Sequence, residues 1–232
     1  AAVINEFAAD PAIRVVVLRG AGSKAFVSGG DISKYEKNRA TPEQIEAYNK
    51  MSSGFRDALA DITKPTIAMI RGWCLGGGLA IALRCDMRVA TAKSLFGMPE
   101  PRRGLLSSTA LHNLSRMIPL GNALYLQLTG SHITAEKAER WGLLQDVVAD
   151  RAALTERVEQ VAGEILECAP LAVQAIKRIV MQGRNLPVEY SMKLADPISA
   201  AIDKTEDRLE GPLAFAEKRR HRGLPPVEAS RG

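Results

Sequence analysis

The sequence has no run near the roughly 18–20 uninterrupted apolar residues that a membrane helix needs. Runs such as Val15 to Leu18 and Thr66 to Ile70 are strand-sized. Ala1 to Phe7 carries neither the basic head nor the cleavage pattern of a signal peptide, so none is expected there. Cysteine is scarce: Cys74, Cys85 and Cys168 are odd in number and lack metal-ligand spacing, and His112, His132 and His221 form no pattern with them. This excludes a disulfide-stapled mini-domain, speaks against any metal site, and suits structural thiols in a reducing cytoplasm. Aromatics are 5% of the 232 residues, too few to support stacking on single-stranded nucleic acid. Lys and Arg number 31 against 26 Asp and Glu, and this scattered +5 serves an anionic small ligand as well as it would nucleic acid. With 46% hydrophobic and 25% charged residues, a disordered or collagen-like chain is excluded and a soluble globular one expected.

What is present reads as strand–helix–strand first and helices later. Ala1 to Ala9 reads as the end of a helix, and Ile13 to Gly20 (IRVVVLRG) as a strand buried on both faces. Ala21 to Asp31 reads as a glycine-containing loop. Thr41-Pro42-Glu43-Gln44 announces a helix to about Asp61, with Thr41 as cap, Pro42 in the first turn and Gln44 completing a capping box. Lys64-Pro65 breaks the chain before a second buried strand, Thr66 to Ile70. Gly72 to Gly78 leads into an apolar helix from Leu79 to Leu83, and short strands follow near Met87 to Ala90 and Ser94 to Phe96. From Ser107 the pattern is helical with one strand at Asp146 to Val148; Thr134, Pro170 and Pro187 stand where helices start. No repeat or linker divides the chain. The expected fold is a single α/β domain, with a core over residues 1–130 and a helical C-terminal extension over 131–232.

The most informative segment is Lys64 to Cys85, KPTIAMIRGWCLGGGLAIALRC. A buried strand ends, three glycines follow, and a helix begins, a turn that presents N–H groups with no acceptor inside the helix. No Gly-Lys-Ser/Thr follows, so it is not a P-loop, and G-x-G-x-x-G is absent too. Taken alone, the triplet serves close backbone packing equally well. A second glycine loop, KAFVSGGDI from Lys24 to Ile32, follows the first strand. Two such loops at one sheet edge can aim two N–H groups at one point, as an enolate-like oxyanion requires; two unrelated loops are the alternative.

These residues resemble the crotonase superfamily, the enoyl-CoA hydratase/isomerase family. KAFVSGGDI is similar to its first loop, KPTIAMIRGWCLGGGLAIALRCD to its strand–glycine–helix signature, and FGMPEPRRG to its F-G-x-P-E segment. HITAEKAERWGLLQDVV and EDRLEGPLAFAEKRR match its later pattern, so the resemblance spans nearly the whole chain in order and spacing. It implies a spiral of ββα units, a helical C-terminal trimerisation region, and assembly as a homotrimer or dimer of trimers. Relatives begin with a strand pair ahead of the first helix, so the expectation is a core lacking those N-terminal strands. Coenzyme A thioesters are the implied substrates, coenzyme A belonging to the substrate with no separate cofactor, and neither a membrane nor a nucleic acid is an implied partner. By position Gly30 and Gly77 would supply the oxyanion N–H groups. Ser28, Asp31 and Ile32 would line the coenzyme and thioester path, and Phe215 and Lys218 would lie near the coenzyme of an adjoining subunit, where a Lys suits its phosphates.

Hydratases of this family use two glutamates. The second falls on Glu100, whereas the first falls on Ala80, and neither Leu79 nor Ile81 replaces it. A single carboxylate suits removal of a proton from C2 of a 3-enoyl thioester and its return at C4. The resemblance therefore implies double-bond isomerisation or hydration of an unsaturated acyl-CoA, with Glu100 as acid/base. After Glu100 the chain reads LLSSTALHNLSR where hydratases carry glycines, and Leu111 and His112 are bulkier groups for the acyl pocket. The rival reading is a non-catalytic thioester-binding homologue that lost the first glutamate. An RNA-binding member of the fold has only the +5 charge behind it.

Overall fold

The computed structural model describes residues 1–30, 41–106 and 108–219. Asp31 and Ile32 therefore lie outside the described residues. The described elements begin with α1 (Ala2–Ala9), β1 (Val16–Arg19), β2 (Ala25–Val27), α2 (Pro42–Asp61), β3 (Thr66–Ile70), β4 (Trp73–Leu75), α3 (Gly77–Ala82), β5 (Met87–Thr91) and β6 (Leu95–Gly97). A 3-10 turn (Glu100–Arg103) follows, then α4 (Ser108–Leu114), α5 (Leu120–Thr129), β7 (His132–Thr134), α6 (Ala135–Arg140) and β8 (Asp146–Val148). Helices α7 (Arg151–Leu166), α8 (Pro170–Gly183), α9 (Val188–Ile202) and α10 (Asp207–Ala216) close the described chain.

These elements form two compact units. The first comprises Ala1–Ala9, Val17–Ile62 and Thr66–Val158, and the second Asp10–Val16, Thr63–Pro65 and Glu159–Gly232. The division falls inside α7, so residues 131–158 belong to the first unit.

The strands lie in two sheets of four, ordered β1-β3-β5-β8 and β2-β4-β6-β7. In the first, β3–β5 and β5–β8 pair in parallel. In the second, β2–β4 and β4–β6 are parallel and β6–β7 antiparallel. The apolar run TIAMI becomes β3 because a parallel central strand is covered on both faces, and Thr66, Ile67, Ala68 and Ile70 are wholly buried. Its polar entry is satisfied locally: Thr66 donates through N–H and Oγ1 to Asp86 Oδ2 at 2.7 and 2.9 Å. Buried Arg88 on β5 donates to the carbonyls of Leu143 and Cys85 at 2.7 and 2.8 Å, fastening the strand to the segment that leads into β8. Thr41 caps α2 and Thr134 caps α6, each accepting from the N–H three residues on.

The second sheet departs from the sequence expectation. Two segments expected to be loops, Ala21 to Asp31 and Gly72 to Gly78, contain β2 and β4, and β7 lies where only helix was expected. Each of these strands has three residues, too few for a period-2 pattern to show, and they are set by their neighbours in the ladder. Close backbone approach makes the arrangement possible. A Cβ on Gly78 would stand 2.0 Å from the Val27 carbonyl oxygen, so α3 packs against β2 only because that residue is glycine. Gly78→Ala is expected to cost about 3 kcal/mol, since backbone rather than a side-chain tip must move. The check is a lower urea midpoint with an unchanged slope.

In the second unit, α8 packs on α9, and Lys177 Nζ donates to the Lys64 carbonyl at 2.9 Å while buried Lys64 donates to the Asp10 carbonyl. Among the described residues no helix is long and apolar enough to cross a membrane, and no cluster of His, Cys, Asp and Glu could hold a metal ion. No disulfide joins the three cysteines; Cys74 and Cys85 are buried, and burial pushes the Cys74 thiol far up, away from reactivity.

Candidate active site

Three neighbouring parallel strands bring three separated segments to one sheet edge. Ser28-Gly29-Gly30 follows β2, Gly76-Gly77-Gly78 follows β4, and Met98-Pro99-Glu100 follows β6. Because the strands run the same way, all three segments leave at their carboxyl ends, the edge at which open α/β sheets take ligands. The contacts across this edge are short. A Cβ on Gly29 would lie 3.8 Å from the Leu75 carbonyl oxygen, and one on Gly76 would lie 2.9 Å from Glu100 Oε1. The Glu100 carboxylate thus sits over the glycine turn, one residue before Gly77.

The turn itself explains which N–H is offered. The β4–β6 ladder continues one residue past β4, where Gly76 donates to the Gly97 carbonyl at 2.9 Å. Gly76 then turns at φ +54°, a conformation that favours glycine, and α3 starts at Gly77 rather than at the expected Leu79. Gly77 is its first residue, with no carbonyl a turn before it, and no group among the described residues accepts its N–H. Gly77 and Gly30 are both exposed at this edge.

Glu100 opens the 3-10 turn, which Gly104 ends in the left-handed conformation. Arg102 pins the turn by donating to the Thr129 carbonyl at 3.0 Å, and Arg103 reaches back to the Pro99 carbonyl at 3.3 Å. The Glu100 carboxyl is half-buried, and one of its oxygens, Oε2, is fully buried with no hydrogen-bond partner among the described residues. Desolvation therefore pushes its pKa up; a backbone hydrogen bond and the charge of Arg103 oppose this without cancelling it. A buried carboxylate oxygen left unpaired is costly, and a ligand or water placed against it would relieve that cost. The sign for stability follows. A carboxyl with a raised folded pKa contributes stability below its unfolded pKa, and that contribution is lost as pH rises through the folded value.

Among the expected site residues, Ser28, Gly30, Gly77 and Glu100 are thus assembled at one edge, and Asp31 and Ile32 lie outside the described residues. Phe215 and Lys218 are in the second unit, Phe215 88% exposed on α10 and Lys218 just beyond it at φ +52°. Ala80 is fully buried in α3. The His112 side chain is exposed on α4 and makes no hydrogen bond or ion pair among the described residues. One neighbour was not foreseen: a Cβ on Gly30 would lie 3.2 Å from the Tyr48 hydroxyl, which α2 brings to the loop. Nothing in the sequence marks Tyr48 beyond its place on that helix.

The sequence model of the enoyl-CoA hydratase/isomerase family matches residues 1–222. The chain belongs to the enoyl-CoA hydratase/isomerase family. As a member it is 38% identical over 213 residues to an (E)-benzylidenesuccinyl-CoA hydratase of Thauera aromatica, covering 90% of this chain and 81% of that protein. It is 34% identical over 220 residues to a carnitinyl-CoA dehydratase of Salmonella arizonae, covering 92% and 82%. The crystal structure of an enoyl-CoA hydratase from Bacillus anthracis superposes with a TM-score of 0.90 at 30% identity, covering 95% of this chain and 84% of that one. This hydratase/isomerase family member therefore has the crotonase-like α/β fold, and the named relatives support an enzyme rather than a non-catalytic homologue.

Proposed function

We propose that the edge formed by β2, β4 and β6 binds an unsaturated acyl-CoA thioester and isomerises its double bond. The thioester oxygen takes the N–H groups of Gly30 and Gly77, which stabilise the enolate that forms when C2 loses a proton. Glu100 takes that proton and returns it at C4, moving the double bond from C3–C4 to C2–C3 without net gain or loss of atoms. The observation that carries this reading is the Glu100 carboxylate over Gly76, with one oxygen buried and unpartnered and with no carboxylate at Ala80. Coenzyme A enters as part of the substrate, past Ser28. Phe215 and Lys218 would meet the coenzyme of an adjoining copy in a trimer; exposed Leu171, Ile176 and Val180 on α8 and Val188 and Met192 on α9 support such an assembly.

A second reading is addition or removal of water across C2–C3, with Glu100 handling both proton and water. It is favoured by the names of the two relatives, one a hydratase and one a dehydratase. Separate assays with 2-enoyl-CoA and 3-enoyl-CoA decide between them. Absorbance of the conjugated thioester is expected to rise from the 3-enoyl substrate; a fall from the 2-enoyl substrate alone identifies a hydratase. No change with either overturns both and leaves a thioester binder.

The raised carboxyl of Glu100 has a kinetic consequence. As a base it works ionised, so kcat/KM is expected to fall on the acid side at a pH above the ordinary glutamate range. A pH profile whose acid limb lies within or below that range contradicts the assignment.

A further inference from the structure

Three arginines from three elements line one cavity of the first unit. Arg19 ends β1, Arg71 follows β3 directly, and Arg151 opens α7. The remaining wall is chiefly the turn from Gly20 to Ser23, with Met69 and Leu154 behind it, and no carboxylate lines the space. Its volume is about 160 Å³, several times what a water needs. Arg71 Nη2 donates to the Gly22 carbonyl at 2.6 Å, which holds that guanidinium against the turn. The side chains of Arg19 and Arg151 belong to exposed residues and have no hydrogen-bond or ion-pair partner among the described residues. Asp150, the nearest acid along the chain to Arg151, is committed elsewhere: its Oδ1 accepts from Ala152 and Ala153 N–H at 2.9 and 3.1 Å.

Three like charges around one space, with no acid in its wall, are an arrangement that an anion completes. Guanidinium forks match the oxygens of phosphate, and three of them suit a dianion with several terminal oxygens better than a singly charged carboxylate with two. The cavity lies at the ends of β1 and β3 in the first sheet, whereas Glu100 and the glycine loops lie at the ends of β2, β4 and β6 in the second. We propose that the cavity bounded by Arg19, Arg71 and Arg151 binds a phosphate dianion, free or borne by a small metabolite.

Calorimetric titration of the full chain with inorganic phosphate, at ionic strength held constant with chloride, tests this. Saturable binding is expected with a Kd of about 1 mM or tighter, displaced by sulfate. The double substitution Arg19→Gln and Arg151→Gln removes two exposed, unpartnered charges and so leaves the fold intact, checked by thermal unfolding. It is expected to weaken phosphate binding at least tenfold; Arg71→Gln is a second, independent variant with the same expectation. No saturable heat in the wild type, or equal affinity in both variants, overturns the proposal. The readout is binding alone, so it stands or falls apart from the acyl-CoA reading. Turnover by the double variant then identifies the source of the anion. A tenfold rise in KM for acyl-CoA with kcat unchanged assigns it to the thioester's own phosphates, and an unchanged KM assigns it to a separate metabolite.

Discussion

Replacing Glu100 by Gln is expected to lower kcat by about 10²–10⁴-fold, the range for loss of a positioned acid/base, while the chain stays folded and still binds thioester. The two halves of this expectation have the same cause. Burial leaves Glu100 Oε2 without a partner and pushes the carboxyl toward its neutral form, so at neutral pH the ionised side chain is a cost to the fold. Gln keeps the shape and removes that charge, so unfolding by urea should show equal or greater stability. Stability retained with activity lost is the pattern of a residue held in a strained state for function. An ordinary surface glutamate would leave turnover unchanged. Turnover within tenfold of wild type removes Glu100 from the chemistry; loss of thioester binding along with turnover would place it in recognition instead.

Gly77→Pro is expected to lower kcat/KM by at least about 10²–10³-fold, the effect of removing one oxyanion donor, because the ring also occupies the place of the N–H. Proline deletes the N–H of residue 77 and nothing else of its hydrogen bonding, because the first position of a helix has no intrahelical acceptor for that group. The control is Gly77→Ala. A Cβ there meets nothing within 4 Å, so the alanine variant keeps both the N–H and the space around it. Activity in the alanine variant and its loss in the proline variant isolates one backbone donor. Equal activity in the two variants contradicts a role for the Gly77 N–H.

Most of the first sheet was legible in the sequence, because its strands are long enough and dry enough to leave a pattern. TIAMI was bounded correctly at Thr66 and Ile70, and Met87 and Asp146 begin β5 and β8 as expected. The strand pattern runs from Ile13 to Gly20 but β1 covers only Val16–Arg19, since strand-like character outruns the ladder at both ends. Helix starts were legible where a side chain does the capping, at Thr41 and Thr134, or where proline fixes the first turn, at Pro170. In the second sheet only β6 was legible, expected near Ser94 to Phe96 and found at Leu95–Gly97. Ala25–Val27, Trp73–Leu75 and His132–Thr134 have no periodicity of their own and are strands because β6 and the glycine approaches place them. Yet that sheet carries the candidate site. Motif resemblance named Gly30, Gly77 and Glu100, whereas their meeting at one edge is a property of three parallel three-residue strands. Tyr48 and the arginines at 19, 71 and 151 left no local signal at all, being far apart in the chain and joined only by the fold.

Hydration and isomerisation share one step, removal or delivery of a proton at C2 of a thioester whose oxygen is held by two backbone N–H groups. Exchange of the C2 hydrogens of a saturated acyl-CoA in deuterium oxide, followed by proton NMR, isolates that step from the choice of reaction. The wild-type chain is expected to wash deuterium into C2, and the Glu100→Gln and Gly77→Pro variants to lose that exchange while Gly77→Ala retains it. No exchange by the wild type, or exchange undiminished in Glu100→Gln, would contradict the account.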